Sequence, residues 1–391
     1  MNSIERLISE KCPDGIETRP LGSLGELVRG NGMPKSDFVD SGVGCIHYGQ
    51  IYTKFDTWTK ETISCVSKQN AQKLAKVNPG DLIITNTSED IEGVCKAVAW
   101  LGNDQIVTGG HATVLKHNQD PRYIAYFMQT PTFFIEKRKH ATGTKVIDVS
   151  AKNLAKIKIP IPPITVQHEI VRILDTFNEL EAELKAELKA RKQQYEYYRN
   201  KLLNFEDNTM RGGVKWMPLG KVCQFQRGFS ITKKEITPGE IPVIGGGLKP
   251  AYFHNTPNRF GETIAVAGDG AYAGFVSYWN SPVFLSGHSF SVNPDQTQLL
   301  PRFVFYFLKN LQGRIHSLKQ GAGVPNVKGK FLAKFTIPIP PLEAQREIVT
   351  ILDNFDTLVN DLSDGIPAEI KARRQQYEYY RDKLLSFKEA A

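Results

Sequence analysis

The sequence predicts an α+β protein in which two strand-rich, mixed globular segments alternate with two helical segments, the second pair repeating the first. Three observations carry this prediction. Residues 191–205, "RKQQYEYYRNKLLNF", return at 373–387 as "RRQQYEYYRDKLLSF", with 12 of 15 positions identical at an offset of 182. Residues 156–177, "KIKIPIPPITVQHEIVRILDTF", return at 334–355 as "KFTIPIPPLEAQREIVTILDNF", with 14 of 22 identical at an offset of 178. Ahead of each helical phrase, short apolar runs bounded by glycine and asparagine read as strands. A period of about 180 residues marks a duplicated domain, because solenoid repeats are far shorter. The expected domains are a globular segment at 1–155, a helical region at 156–205, a second globular segment at 206–333 and a second helical region at 334–391.

In chain order, each copy opens on Pro-Leu-Gly with Arg-Gly following: Pro20 to Gly30, and Pro218 to Gly228. Strands are expected in "GDLIITNT" (80–87), "KAVAWLG" (96–102) and "HATVLKH" (111–117), then in "GETIAVAG" (261–268), "GFVSYW" (274–279) and "SFSVNP" (289–294). One helix follows in each segment, at "PRYIAYFMQ" (121–129) and "PRFVFYFLKNL" (301–311), where proline suits the first turn. The prolines of "IPIPP" cannot sit inside a helix and mark the entry to the long one. Beyond them, Ile170, Leu174, Phe177, Glu181, Leu184, Leu188, Arg191, Tyr195, Tyr198, Leu202 and Phe205 fall at seam positions of a heptad pattern, nine of the eleven being apolar or aromatic. Tyr377, Tyr380 and Leu384 repeat Tyr195, Tyr198 and Leu202. About 40 helical residues make a rod of roughly 60 Å. In the second copy Gly365 and Pro367 break the run into two helices.

The bulk numbers narrow the function. A net charge of +8 suggests an anionic partner. Residues 218–333 carry 12 Lys and Arg against 5 Asp and Glu, whereas residues 20–155 carry 15 against 13, so one globular segment holds most of the excess. The five scattered cysteines include no Cys-x-x-Cys pair and no Cys/His cluster, which argues against a disulfide framework or a zinc site. With no membrane-length apolar run and no signal-peptide pattern, a cytoplasmic protein is expected. There is no Walker phosphate loop, and "GDGAYAG" (268–274) and "IGGG" (244–247) read as structural turns. His111 and His288 recur at matched positions after glycine and read as turn or packing residues, since neither lies in a nucleophile or metal motif. No catalytic residue, cofactor or metal is therefore expected on the chain itself.

Binding surfaces remain. The divergent loops of the first segment offer Arg29, Lys35, Ser36, Tyr48, Gln50 and Lys54; those of the second offer Arg227, Lys233, Lys234, Lys249, Tyr252 and Asn255. Lys and Arg suit phosphates, while Asn, Gln and Arg can pair bidentately with base edges, so these twelve are the candidate nucleic-acid-binding residues. On the helical phrases, Ile170, Val171, Ile173 and Leu174, with Ile348, Val349, Ile351 and Leu352, cover more of the helix than one seam needs. They are the candidate partner-binding residues, on the reading that another chain completes a bundle.

Two divergent globular segments, each followed by "IPIPP…Q.EIV.ILD.F" and then "R.QQYEYYR.KLL.F", resemble the specificity subunit of type I restriction-modification systems over nearly the whole chain. The resemblance implies that each globular segment is a target recognition domain reading one half of a bipartite, asymmetric site in double-stranded DNA. It implies that the two helical regions pack antiparallel as a coiled coil, separate the recognition domains and set the spacer between half-sites. It also implies docking of two modification subunits, which would bind S-adenosylmethionine and methylate adenine, and assembly with restriction/translocase subunits. Duplication kept only in the scaffold then gives a pseudo-twofold chain that two identical partners can bind. Two rival readings are a DNA methyltransferase with an unrecognised cofactor site and a coiled-coil adaptor for protein partners.

Overall fold

A computed structural model describes residues 3–205, 214–232, 234–321 and 323–388. The chain forms two compact units, one of residues 1–183 with 370–391, the other of residues 184–369. All six expected strands and both expected helices form. In the first unit, β1 (Gly25–Arg29), β2 (Leu82–Thr85), β3 (Ala97–Trp100) and β4 (Ala112–His117) build a sheet in the order β1-β4-β2-β3, with the short strand Trp58–Thr59 parallel at its edge. A second five-stranded sheet, from residues 38–108, completes the segment. β2 and β3 are buried along their whole length, as strands covered on both faces must be. Helix α1 (Pro121–Phe127) follows, with the Asp120 carboxylate accepting from the Arg122 amide at 2.9 Å as its N-cap.

Helix α2 (Ile164–Leu203) is continuous over 40 residues. The second unit repeats the plan: β5 (Cys223–Arg227), β6 (Thr263–Ala267), β7 (Val276–Trp279) and β8 (Ser289–Pro294) pair in the order β5-β8-β6-β7, followed by α3 (Pro301–Asn310). Helices α4 (Leu342–Asn360) and α5 (Ile366–Leu384) meet at the expected turn. A Cβ on Gly365 would lie 2.3 Å from the Thr357 carbonyl oxygen, so only glycine fits there. "IPIPP" does more than mark a helix entry. Lys158–Pro160 and Thr336–Ile339 form two-stranded pairings with Thr18–Pro20 and Lys215–Pro218, where a missing proline donor is tolerated at an edge.

The shared phrases bind helix to sheet by a repeated polar device. Gln167 is fully buried; its Oε1 accepts from the Asp120 amide (3.1 Å) and its Nε2 donates to the Pro162 carbonyl (2.8 Å). Gln345 accepts from the Leu300 amide (2.8 Å) and donates to the Pro340 carbonyl (2.8 Å) in the same way. Eight residues further on, Asp175 accepts from Arg122 (2.7 Å), Tyr126 (2.5 Å) and Trp58 (3.2 Å). Asp353 accepts from Arg302 (2.6 Å) and Tyr306 (2.5 Å). Burial first, and then the carboxylate each one faces, push the hydroxyls of Tyr126 and Tyr306 far above the usual tyrosine range.

The aromatic phrase pairs across copies. Within the first unit, Tyr380 of α5 stacks on Phe177 of α2 (5.5 Å), and Arg374 meets Glu181 (3.6 Å), so the two helices run antiparallel there. Within the second unit, Tyr198 of α2 stacks on Phe355 of α4 (5.5 Å), with Tyr195 beside it (6.2 Å). Each "ILD.F" phrase therefore receives the tyrosines of the other copy. Tyr377 and Leu384 are buried in the first core, Leu188 and Leu202 flank the second, and Leu184 is half-buried. Between Ile170 and Tyr195 the expected seam positions are all buried or half-buried, which is the heptad pattern made visible.

One expectation needs correction. Ile170, Val171, Leu174, Ile348 and Leu352 do not present a face to another chain; each is at most 1% exposed, inside the core of its own unit. The apolar face is wide because the globular segment and the coiled-coil seam both cover it. Ile173 and Val349 are half-buried, and Ile351 stays 40% exposed.

Candidate nucleic-acid interface

The strongest internal correspondence lies where β1 and β5 end. Arg29 is paired in register with Thr113 of β4, and Arg227 with Phe290 of β8. Arg-Gly is required because a second backbone crosses directly behind. The Gly30 amide donates to Ala112 O and the Gly228 amide to Ser289 O, both at 2.9 Å, and a Cβ on either glycine would lie within 2.2 Å of a carbonyl oxygen. Both arginine side chains are exposed. The Arg227 Nε donates to the Gly287 carbonyl at 2.9 Å, which fixes the guanidinium at the strand end.

Beside each arginine stands the matched histidine. The His111 carbonyl accepts from the Asn86 amide and the His288 carbonyl from the Gly268 amide. Their Nδ1 atoms meet Thr87 Oγ1 (3.0 Å) and Asp269 Oδ1 (2.8 Å), residues at equivalent places after β2 and β6. Both histidines are exposed in turns, as turn residues bordering a surface. His111 takes a left-handed backbone conformation (φ +67°) and its ring lies 4.9 Å from Tyr48, which continues to His47 at 4.5 Å. Burial, with the charges of Lys35 and His111, lowers the pKa of His47. The fold thus gathers Lys35, Tyr48 and His111 near one another, with Ser36 exposed next to Lys35.

Not every candidate residue is free to read a base. Gln50 closes a capping box on the helix Tyr48–Thr53: its Oε1 accepts from the His47 amide (2.9 Å) and its Nε2 donates to Ser64 (2.7 Å). Both ends of its amide are engaged within the protein, so it acts locally. Lys54 is exposed at the end of that helix. In the second unit Lys234, Lys249, Tyr252 and Asn255 are exposed on loops and on the strand Tyr252–His254, while Lys233 lies outside the described residues.

A cleft of about 520 Å³ opens in the second unit between Arg227, Asp269, Phe290, Asn326, Lys328 and Lys330. Of the candidate residues, Arg227 alone lines it. Lys328 and Lys330 were missed because "NVKGK" directly precedes a phrase shared by both copies and so passes for scaffold. The signal was the change from Ser150 to Lys328 at otherwise matched places. Among the described residues, no cluster of His, Cys, Asp or Glu could hold a metal ion, and no helix is long and apolar enough to cross a membrane.

Comparison with known proteins agrees with this geometry. The type I restriction modification DNA specificity domain matches twice, at residues 13–190 and 212–372. The EcoR124I/EcoR124II specificity subunit of Escherichia coli is 31% identical over 310 residues, covering 68% of this chain and 70% of its own. A putative type I restriction enzyme specificity subunit of Haemophilus influenzae is 31% identical over 324 residues, covering 74% of this chain and 76% of its own. The fold is that of the type I restriction-modification S subunit from M. genitalium, with a TM-score of 0.63 at 17% identity over 94% of this chain and 96% of that one. With the family domain matching both copies and relatives at 31% identity over most of the chain, this chain belongs to the type I restriction-modification DNA specificity family.

Proposed function

We propose that each unit reads one half of a bipartite, asymmetric site in double-stranded DNA, and that the chain does so as the non-catalytic recognition component of a larger complex. Two modification subunits, which supply S-adenosylmethionine and methylate adenine, dock on the exposed parts of the helical regions, Ile351 among them. Restriction/translocase subunits complete the assembly, and the length of α2 sets the spacing of the half-sites. The observation that supports this reading is the internal comparison itself. Strand register, Arg-Gly corner and helix anchors are kept between the units, whereas residues around them differ (buried Asn86 against Gly268, Ser150 against exposed Lys328). A kept scaffold with changed surface chemistry is what two readers of different half-sites require.

The test is methylation mapping in a host carrying the chain with its modification subunits. A split motif with an unspecified spacer is expected, together with loss of methylation when this chain is deleted. Replacing residues 20–155 by another globular segment should change one half of the motif and keep the other. A continuous motif, or a change in both halves, refutes the assignment.

A further inference from the structure

The two units differ at the matched place behind the Arg-Gly corner. In the first unit Asn86 is fully buried there, its Nδ2 donating to the Val149 carbonyl (2.7 Å) and its Oδ1 accepting from Thr113 (2.9 Å). The second unit has Gly268 at this position, with the same backbone bonds: its amide donates to His288 O, and its carbonyl accepts from Val327, as Asn86 O does from Val149. Phe290 stands where the first unit has Thr113, its ring 3.8 Å from where a Cβ on Gly268 would lie, so no amide spans this place, and Gly268 and Phe290 both line the 520 Å³ cleft.

The cleft is chemically biased. Arg227, Lys328 and Lys330 line it, and Lys328 and Lys330 have no carboxylate within 4 Å among the described residues. Its one lining carboxylate, Asp269, is paired with His288 at 2.8 Å. Nearby segments expose Phe229 (57%), Tyr272 (47%) and Val324 (65%). Large apolar side chains exposed around a basic recess fit a macromolecular surface better than a free ion. We infer that this cleft is a phosphate seat for the DNA backbone, present in the second unit and filled in by Asn86 in the first. The inference rests on the DNA-reading function proposed above and adds that backbone anchoring is unequal: the second unit holds the duplex more by phosphate contact than the first.

Two substitutions give the second unit the residues of the first: Lys328→Ser and Gly268→Asn. Lys328 is exposed, so Lys328→Ser leaves folding intact, while Gly268→Asn places a Cβ 3.2 Å from the His288 carbonyl oxygen and is checked by thermal unfolding. The full chain, in complex with its modification subunits, is titrated with a duplex carrying its mapped site and with a scrambled duplex across a salt series. Each neutralised phosphate contributes about 0.9 to the slope of log K against log salt. Lys328→Ser should lower the slope by about 1 and weaken binding equally on both duplexes. Inorganic phosphate at matched ionic strength should not displace the DNA. An unchanged slope in both variants overturns the phosphate seat while leaving the DNA-reading function standing. A change confined to the cognate duplex overturns it in favour of base contact, and displacement by inorganic phosphate overturns it in favour of a free-anion site. A wild-type complex that binds neither duplex overturns the DNA-reading function itself.

Discussion

The first unit closes the space behind its Arg-Gly corner with a buried, doubly hydrogen-bonded asparagine; the second leaves a basic cleft there. Around that difference a common frame is held: the β1–β4 and β5–β8 registers, the histidine at each strand entrance, and Gly143 and Gly321 at φ +99° and +98° in equivalent loops. The comparison separates two kinds of residue that one chain alone confounds. Those repeated in both units hold helix to sheet through buried polar contacts, where any loss leaves an unsatisfied partner. Some that differ face the surface, as Lys328 does, where a change alters chemistry without altering the fold; Asn86 differs from inside, at the border of the cleft.

The anchors themselves are unequal. Asp175 takes three donors with its side chain 12% exposed, whereas Asp353 is 42% exposed. Asp175→Ala leaves Arg122 paired with Asp120 but takes the acceptor from the Tyr126 hydroxyl and the Trp58 indole, and should cost the first unit about 1–3 kcal/mol. Asp353→Ala, with water at hand, should cost clearly less. Urea unfolding followed by unit-resolved hydrogen exchange measures both, and equal losses would break the comparison.

Acid should separate the units next. Burial lowers His117 to about 4. Its Nδ1 accepts from the Gln119 amide and its Nε2 has no partner, while the nearby Asp120 opposes the shift. The equivalent residue of the second unit is Pro294. A histidine depressed in the folded state stabilises fully above its unfolded value near 6.5, and that stability is lost as pH falls toward about 4. The loss should reach up to about 3 kcal/mol in the first unit. In the second unit burial, with Lys319 and Lys309, also lowers His316, but by less, so its step should be shallower, and His117→Asn should flatten the first unit's profile between pH 6.5 and 4. A step of equal size in both units would show that other groups govern acid stability.

The smallest effect on stability should be the most informative about partners. Leu352 is buried and Ile351 is 40% exposed, one residue apart on α4. Leu352→Ala should cost about 2–5 kcal/mol. Ile351→Glu should change stability by no more than about 0.5 kcal/mol yet prevent co-purification with the modification subunit. Intact co-purification of the Ile351→Glu chain would place the docking surface elsewhere.

The sequence by itself determined the duplication, the six strands, the two short helices, the heptad seam and the turn at Gly365, and through the repeated phrases it determined the family. These are local or periodic signals: β-branched runs, proline at a first turn, apolar residues at heptad spacing. Each constrains the chain over the few residues that carry it. It misassigned Gln50, whose amide is claimed by Ser64 fourteen residues away, and it offered Ile170, Val171 and Leu174 to a partner when their own globular segment covers them. Periodicity tells which face of a helix is buried but not what buries it. Only the tertiary structure decided that Gln167 and Asp175 anchor α2 to α1, that each aromatic phrase packs on the other copy, and that Gly268, Arg227 and Lys328 meet at one cleft. The physical reason is that burial and empty space belong to atoms brought together from positions hundreds of residues apart, as where the Ile16 amide meets the Lys388 carbonyl, and no stretch of sequence contains that distance.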